Sequence, residues 1–167
     1  MNKWIELLKN NDLLGIKKYL KEGADINESS ESGESVLASS LRYRCDVDLI
    51  MLLIQNGADI YDFDEEGVTI FDMAVTYDNL DIVKYLISKG FNVNKTNRRS
   101  RFTPLMAAVC YGRFEMVKFL MEQGADKNAV DSKGISVIDF ARKTNKKSIL
   151  KLLDYDENAP KNTNYAR

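Results

Sequence analysis

The chain has 167 residues, 44% hydrophobic and 29% charged, with 24 basic side chains against 25 acidic ones. That length supports one sizeable core rather than two. No apolar run approaches the roughly 18 residues of a membrane span, and the stretch from Met1 to Leu8 is interrupted by charge too early for a signal peptide. The expectation is a single cytoplasmic domain over residues 1–154, followed by a flexible tail at 155–167. The near-neutral total hides an asymmetry: residues 1–67 carry 7 basic and 14 acidic side chains, the remainder 17 and 11. Such polarity concerns partners and association rather than fold.

In chain order, an apolar pattern from Trp4 ends at Gly23 in KEGADINE. Ser35 opens SVLASSL, and the next helical stretch ends at Gly57 in QNGADIYD. Thr69 opens TIFDMAV, after which Ile82, Val83, Leu86 and Ile87 carry a helix to Gly90 in SKGFNVNK. Thr103 opens TPLMAAV, the following helix stops at Gly124 in EQGADKNA, and Ser136 opens SVIDFAR. The four glycines are spaced by 34, 33 and 34 residues, so the chain repeats itself. Each glycine stands where a helix needs a left-handed residue to stop. Each hydroxyl stands where an N-cap satisfies the first free amides, with Pro104 at a first helical position. Helix starts are therefore predicted near 35, 69, 103 and 136. Ser40, Ala74, Ala108 and Ala141 share one register, and Leu37, Phe71, Leu105 and Ile138 another. Small residues let neighbouring helices approach while the large ones fill the space between them, so the helices should stack side by side.

A unit of this length with TPLMAA at 103–108, Gly112, an apolar second helix and GADKNA at 124–129 resembles an ankyrin repeat. On this resemblance residues 1–28 are an N-terminal cap holding only a second helix and GADIN, about 29–129 are three full repeats, and 130–154 are a C-terminal capping repeat. It implies an all-α fold, an ankyrin-repeat solenoid of stacked helix-turn-helix pairs with β-hairpin fingers, which binds a protein through its concave, finger side. The sequence departs from the family where a histidine usually follows T-P-L: Ala38, Asp72, Met106 and Asp139 stand there, and the chain has no histidine. One extra residue falls near Arg44 and Cys45 and another inside NRRSR, and insertions in such arrays often mark a binding face.

Without histidine there is no Ser-His or Cys-His dyad and no imidazole metal site, and no phosphate-cradling glycine loop is present, so neither catalysis nor a cofactor is expected. Cys45 and Cys110, two units apart, are expected to be free thiols. DFDEEG places Asp62, Asp64, Glu66 and Gly67 as a calcium loop would, but Met73 occupies its twelfth position and Thr69 is a helix cap inside it. The fingers differ in charge: ESSESGE at 28–34 and YDFDEEG at 61–67 are acidic, whereas NRRSRF at 97–102 is basic. One charged finger is ordinarily a solvated loop, while neighbouring fingers of like sign make a patch. A lone basic finger does not make the stripe that nucleic acid requires. Tyr43, Tyr77 and Tyr111 recur at intervals of 34, a position that the resemblance places on the concave side. Expected partner contacts are Arg42, Tyr43, Glu65, Glu66, Asp72, Tyr77, Arg98, Arg99, Arg101, Phe102, Met106 and Tyr111. The partner expected is a protein with mixed acidic and basic patches, with no nucleic acid and no membrane, met by a chain that is monomeric when free. An inhibitor, an immunity protein or an adaptor fits that description. The alternative is a small-molecule or nucleotide-binding protein, or an enzyme, using carboxylates on the inner helices around Asp72, Asp139 and Tyr77.

Overall fold

The computed structural model describes residues 1–154; the tail expected at 155–167 lies outside the described residues. Among the described residues ten helices follow one another in short pairs: α1 (Asn2–Lys9) and α2 (Leu13–Lys21), α3 (Val36–Arg42) and α4 (Val47–Gln55), α5 (Ile70–Thr76) and α6 (Leu80–Ser88), α7 (Pro104–Cys110) and α8 (Phe114–Glu122), α9 (Val137–Lys143) and α10 (Lys147–Leu152). Between pairs the chain runs out into fingers, three of them closed by a single antiparallel bridge: Ser29 with Ser35, Phe63 with Thr69, and Val130 with Ser136. No sheet occurs among the described residues, and the fold is the all-α repeat expected.

The packing forms two compact units, one ending at Leu86 and the other beginning at Ile87. In the first, α1 lies against α2 and α3, and α3 against α4 and α5. Trp4, Leu8, Ile16, Leu37, Leu41, Leu49, Ile50, Leu53, Ile70, Ile82 and Leu86 are among its fully buried side chains, with Ser40 and Ala74 buried in the small column. In the second, α7 lies against α8 and α9, and α10 against α8 and α9. Leu105, Met116, Val117, Leu120 and Val137 form its core around the small Ala108 and Ala141. The first helices of successive pairs thus lie side by side within each unit, as small residues at close approach permit.

Each hydroxyl predicted as a cap is one. Ser35, Thr69, Thr103 and Ser136 accept from the backbone amides of Ala38, Asp72, Met106 and Asp139 at 3.1 to 3.2 Å. At Thr69 and Ser136 the contact is reciprocal. The Asp72 carboxylate accepts from the Thr69 amide at 3.0 Å and its hydroxyl at 2.9 Å, and Asp139 does the same for Ser136 at 3.0 and 2.8 Å. At Thr103 the Met106 sulfur takes the amide at 3.4 Å. In the column that in the family usually holds histidine, Asp72, Met106 and Asp139 therefore close capping boxes, while Ala38 does not.

The glycine stops are built as expected. Gly57, at φ +96°, donates its amide to Ile54 and the next amide, of Ala58, reaches back to Leu53, which satisfies the last carbonyls of α4. In the GADIN turn, the Asp25 carboxylate accepts from the Asn27 amide at 2.9 Å. The Asn27 side chain then clamps the next repeat, donating to the Gly57 carbonyl at 3.1 Å and accepting from the Asp59 amide at 3.0 Å. Asn94 repeats this in the second unit on Gly124 and Asp126, at 3.0 and 2.8 Å.

Two expectations meet the structure differently. The N-terminal cap holds a complete helix pair, because α1 forms ahead of α2; Met1 stands at its N-cap and offers no side-chain bond, so the sequence signal of a helix start is missing there. α3 and α4 are joined by four residues and the later pairs by three, which puts the extra residue at the expected turn.

Both cysteines are free thiols. The Cys45 thiol donates to the Leu8 carbonyl at 3.2 Å; burial first, and then the Asp46 charge, pushes its pKa up to about 11. Burial also raises Cys110, against the opposing charge of Lys143. Because the thiolate is the reactive form, native labelling of Cys45 should be slow near pH 8 and quicken about tenfold per pH unit towards that pKa. A thiol-reagent time course should show Cys110 reacting first, with both thiols titrating once the unreduced chain is unfolded. Rapid native labelling of Cys45 would contradict its burial.

Candidate interaction surface

In the first unit, the fingers at 28–34 and 61–67 stand over α3 and α5 and enclose a groove of about 340 Å³. Ser32, Glu34, Ala38 and Arg42 line one wall, and Asp62, Phe63, Met73 and Tyr77 the other. Arg42 donates from Nε to Glu34 at 2.7 Å and from a terminal nitrogen to the Tyr43 hydroxyl at 3.3 Å, with its guanidinium 4.5 Å from the Tyr43 ring centre. The Glu34 hydrogen bond outweighs burial and raises the guanidinium pKa. Within the acidic finger, Asp64 folds the turn by accepting from the amides of Glu66 and Val68 at 3.0 and 2.8 Å. Glu65 and Glu66 point into solvent. So do two aromatic residues the sequence reading passed over: Tyr61 is 65% exposed and Phe63 58%. Tyr77 is half-buried, at the C-cap of α5.

In the second unit, the finger carrying the arginines has its own construction. The Thr96 hydroxyl donates to the Phe102 carbonyl at 2.9 Å and accepts from the Arg98 amide at 3.2 Å. The Ser132 amide of the following finger donates to the Ser100 carbonyl at 2.8 Å. Arg98 is not a free finger tip: its guanidinium lies 5.4 Å over the Phe102 ring, which in turn meets Phe140 edge-on at 5.3 Å. Arg99 and Arg101 are exposed, and Tyr111 is 57% exposed at the end of α7.

Two residues expected among the partner contacts are placed otherwise. Asp72 and Met106 are buried at the third positions of α5 and α7, where their side chains hold the caps and leave no exposed surface in the free chain. Asp139 is likewise buried in its cap, so the carboxylates on which an inner-helix catalytic site would depend are bound to their own helix starts.

Arg101 has φ +55°, whereas the matching position of the other three fingers is Gly33, Gly67 or Gly134 at φ +75° to +79°. Left-handed backbone costs a non-glycine residue roughly 1–2 kcal/mol, and such strain tends to persist at functional positions. Arg101→Gly relieves it but returns about 0.4–1 kcal/mol as unfolded-chain entropy. The expected result is a melting temperature higher by about 1–3 °C together with weaker partner binding. Unchanged stability and binding would mean that Arg101 carries neither strain nor contact.

Paired helices repeated at this period, with bridged fingers between pairs, define a helical-repeat solenoid. The chain belongs to the ankyrin-repeat family: a family model described as ankyrin repeats (3 copies) matches residues 5–97, 81–131 and 96–164. It is 31% identical over 134 residues to alpha-latrocrustotoxin-Lt1a of Latrodectus tredecimguttatus, a match covering 80% of this chain and 9% of that protein. It is 37% identical over 86 residues to palmitoyltransferase ZDHHC17 of Homo sapiens, covering 52% of this chain and 14% of that one. It is 29% identical over 103 residues to the putative ankyrin repeat protein FPV222 of Fowlpox virus, covering 61% and 14%. The chain thus spans 9 to 14% of the length of these relatives. Ankyrin repeats are protein-interaction modules and typically non-enzymatic. No helix among the described residues is long and apolar enough to cross a membrane.

Proposed function

We propose that this chain grips a folded protein through its fingers and the first helices of its pairs. The acidic finger at 61–67 meets a basic patch of the partner, and Arg99 and Arg101 meet an acidic one. Opposed charges of this kind fix the orientation of docking more than they add affinity. The free chain is a monomer working in the cytoplasm, as an inhibitor, an immunity protein or an adaptor. One observation carries the reading: the residues that hold the repeat are buried, while the finger tips expose charge of opposite sign at Glu65 and Glu66 and at Arg99 and Arg101. Capture from a lysate of the source cells, read by mass spectrometry, tests it with two charge-reversed variants beside the parent chain. Glu65→Lys with Glu66→Lys, and separately Arg99→Glu with Arg101→Glu, should each lose the same protein. Retention of that protein by both variants would overturn the proposal.

A further inference from the structure

The groove of the first unit is partly apolar, open and set among acidic residues. Phe63 is 58% exposed on an acidic finger, and with Met73 and Tyr77 it gives the groove its apolar wall. An exposed ring beside half-buried apolar side chains is the arrangement of an anchor site awaiting a contact. The charges around it are not balanced. Arg42 is the cation of the lining, and it is held by Glu34 at 2.7 Å. Asp62 and Asp64 line the groove as well, and Glu65 and Glu66 are exposed on the same finger, within a segment, residues 1–67, that carries 14 acidic side chains against 7 basic ones.

From this geometry we infer, resting on the protein-binding role above, that the groove takes an extended basic segment of the partner, with aliphatic side chains entering against Phe63, Met73 and Tyr77 and lysine or arginine side chains meeting Asp62, Glu65 and Glu66. The shape favours an extended chain. A groove of about 340 Å³ is at the lower limit of a ligand pocket, so it takes a few side chains of a segment lying along it rather than a whole folded element. A strand turns alternate side chains to opposite faces, so a segment alternating aliphatic with basic residues puts one kind into the groove and the other towards the surrounding carboxylates. An acidic segment or a nucleic acid meets like charge there.

The test uses the whole chain and two fluorescein-labelled peptides of about ten residues, one alternating lysine with leucine or valine, the other its twin with glutamate for lysine. Binding is followed by anisotropy at about 50 and 300 mM salt, because exposed charge contacts are screened over this range while apolar ones are not. The basic peptide should bind and its acidic twin should not. Phe63→Ala should weaken the basic peptide at least about fivefold at both salt levels, as loss of an aromatic anchor does. Glu65→Gln with Glu66→Gln should weaken it mainly at low salt, and Lys118→Glu, on the exposed side of α8, should leave it unchanged. Phe63 is exposed, so an unchanged melting curve certifies that the variant is folded. Equal binding of both peptides, binding of neither, or indifference to Phe63→Ala overturns the inference. If the peptides fail while charge-sensitive capture of a protein persists, this inference alone is lost; if that capture also fails, the proposed function falls with it.

Discussion

Trp4→Ala is expected to destabilise the protein by about 3–5 kcal/mol, the range for removing a fully buried aromatic residue. Trp4 is wholly inaccessible, its ring centre lies 5.0 Å from that of Tyr19, and its indole N–H donates to the Asp25 carbonyl at 3.1 Å. One side chain thereby ties α1 to α2 and to the GADIN turn that follows. Truncation leaves a cavity and an unsatisfied carbonyl, each with its own cost. In a repeat array each pair leans only on its neighbours, so the loss should appear first in α1 to α3. Thermal unfolding followed by circular dichroism should show a fall of about 8–15 °C. Trp4→Phe, which keeps most of the volume and loses the N–H, should cost far less. A Trp4→Ala protein melting within a degree or two of the parent would show that α1 is not part of the cooperative core.

The second large effect is expected on binding. Tyr77→Ala should weaken the partner captured by the parent chain by at least about 2 kcal/mol, as central aromatic anchors do, which is roughly thirtyfold in Kd. Tyr77 is half-buried and lines the groove beside Phe63, so its ring offers contact area whose ordering is already complete before binding. Surface plasmon resonance should place the change mainly in the dissociation rate, whereas Arg99→Glu should act on the association rate and lose its effect as salt rises. Tyr77→Phe should keep most of the affinity. If Tyr77→Ala instead lowers the melting temperature by several degrees and leaves binding intact, the ring is a structural cover for α5 and the groove is not the site.

The repeat was legible because its punctuation has single-residue causes. A glycine at each helix stop and a hydroxyl at each helix start recur at a fixed spacing, and both carry local conformational demands that little else meets. Less legible were positions whose role depends on what lies nearby in space. Asp72 and Met106 were expected as contacts, yet an aspartate or a methionine three residues after a cap hydroxyl also closes that cap, and the structure uses them so. Arg98 is indistinguishable from Arg99 in sequence; the Phe102 ring beneath its guanidinium separates them. Tyr61 and Phe63 went unnoticed because the charge of their finger drew the reading to its carboxylates, whereas both rings are exposed. Their one sequence signal was alternation with Asp62 and Asp64 in an acidic finger.

Hydrogen exchange of the complex tests most directly whether the fingers are the surface that meets a partner. With the captured protein bound, backbone amides at 61–67 and 97–103 should gain protection, and the exposed faces of α6 and α8 around Lys84, Lys118 and Glu122 should exchange as in the free chain. Protection confined to those outer helices, with both fingers unchanged, would contradict it.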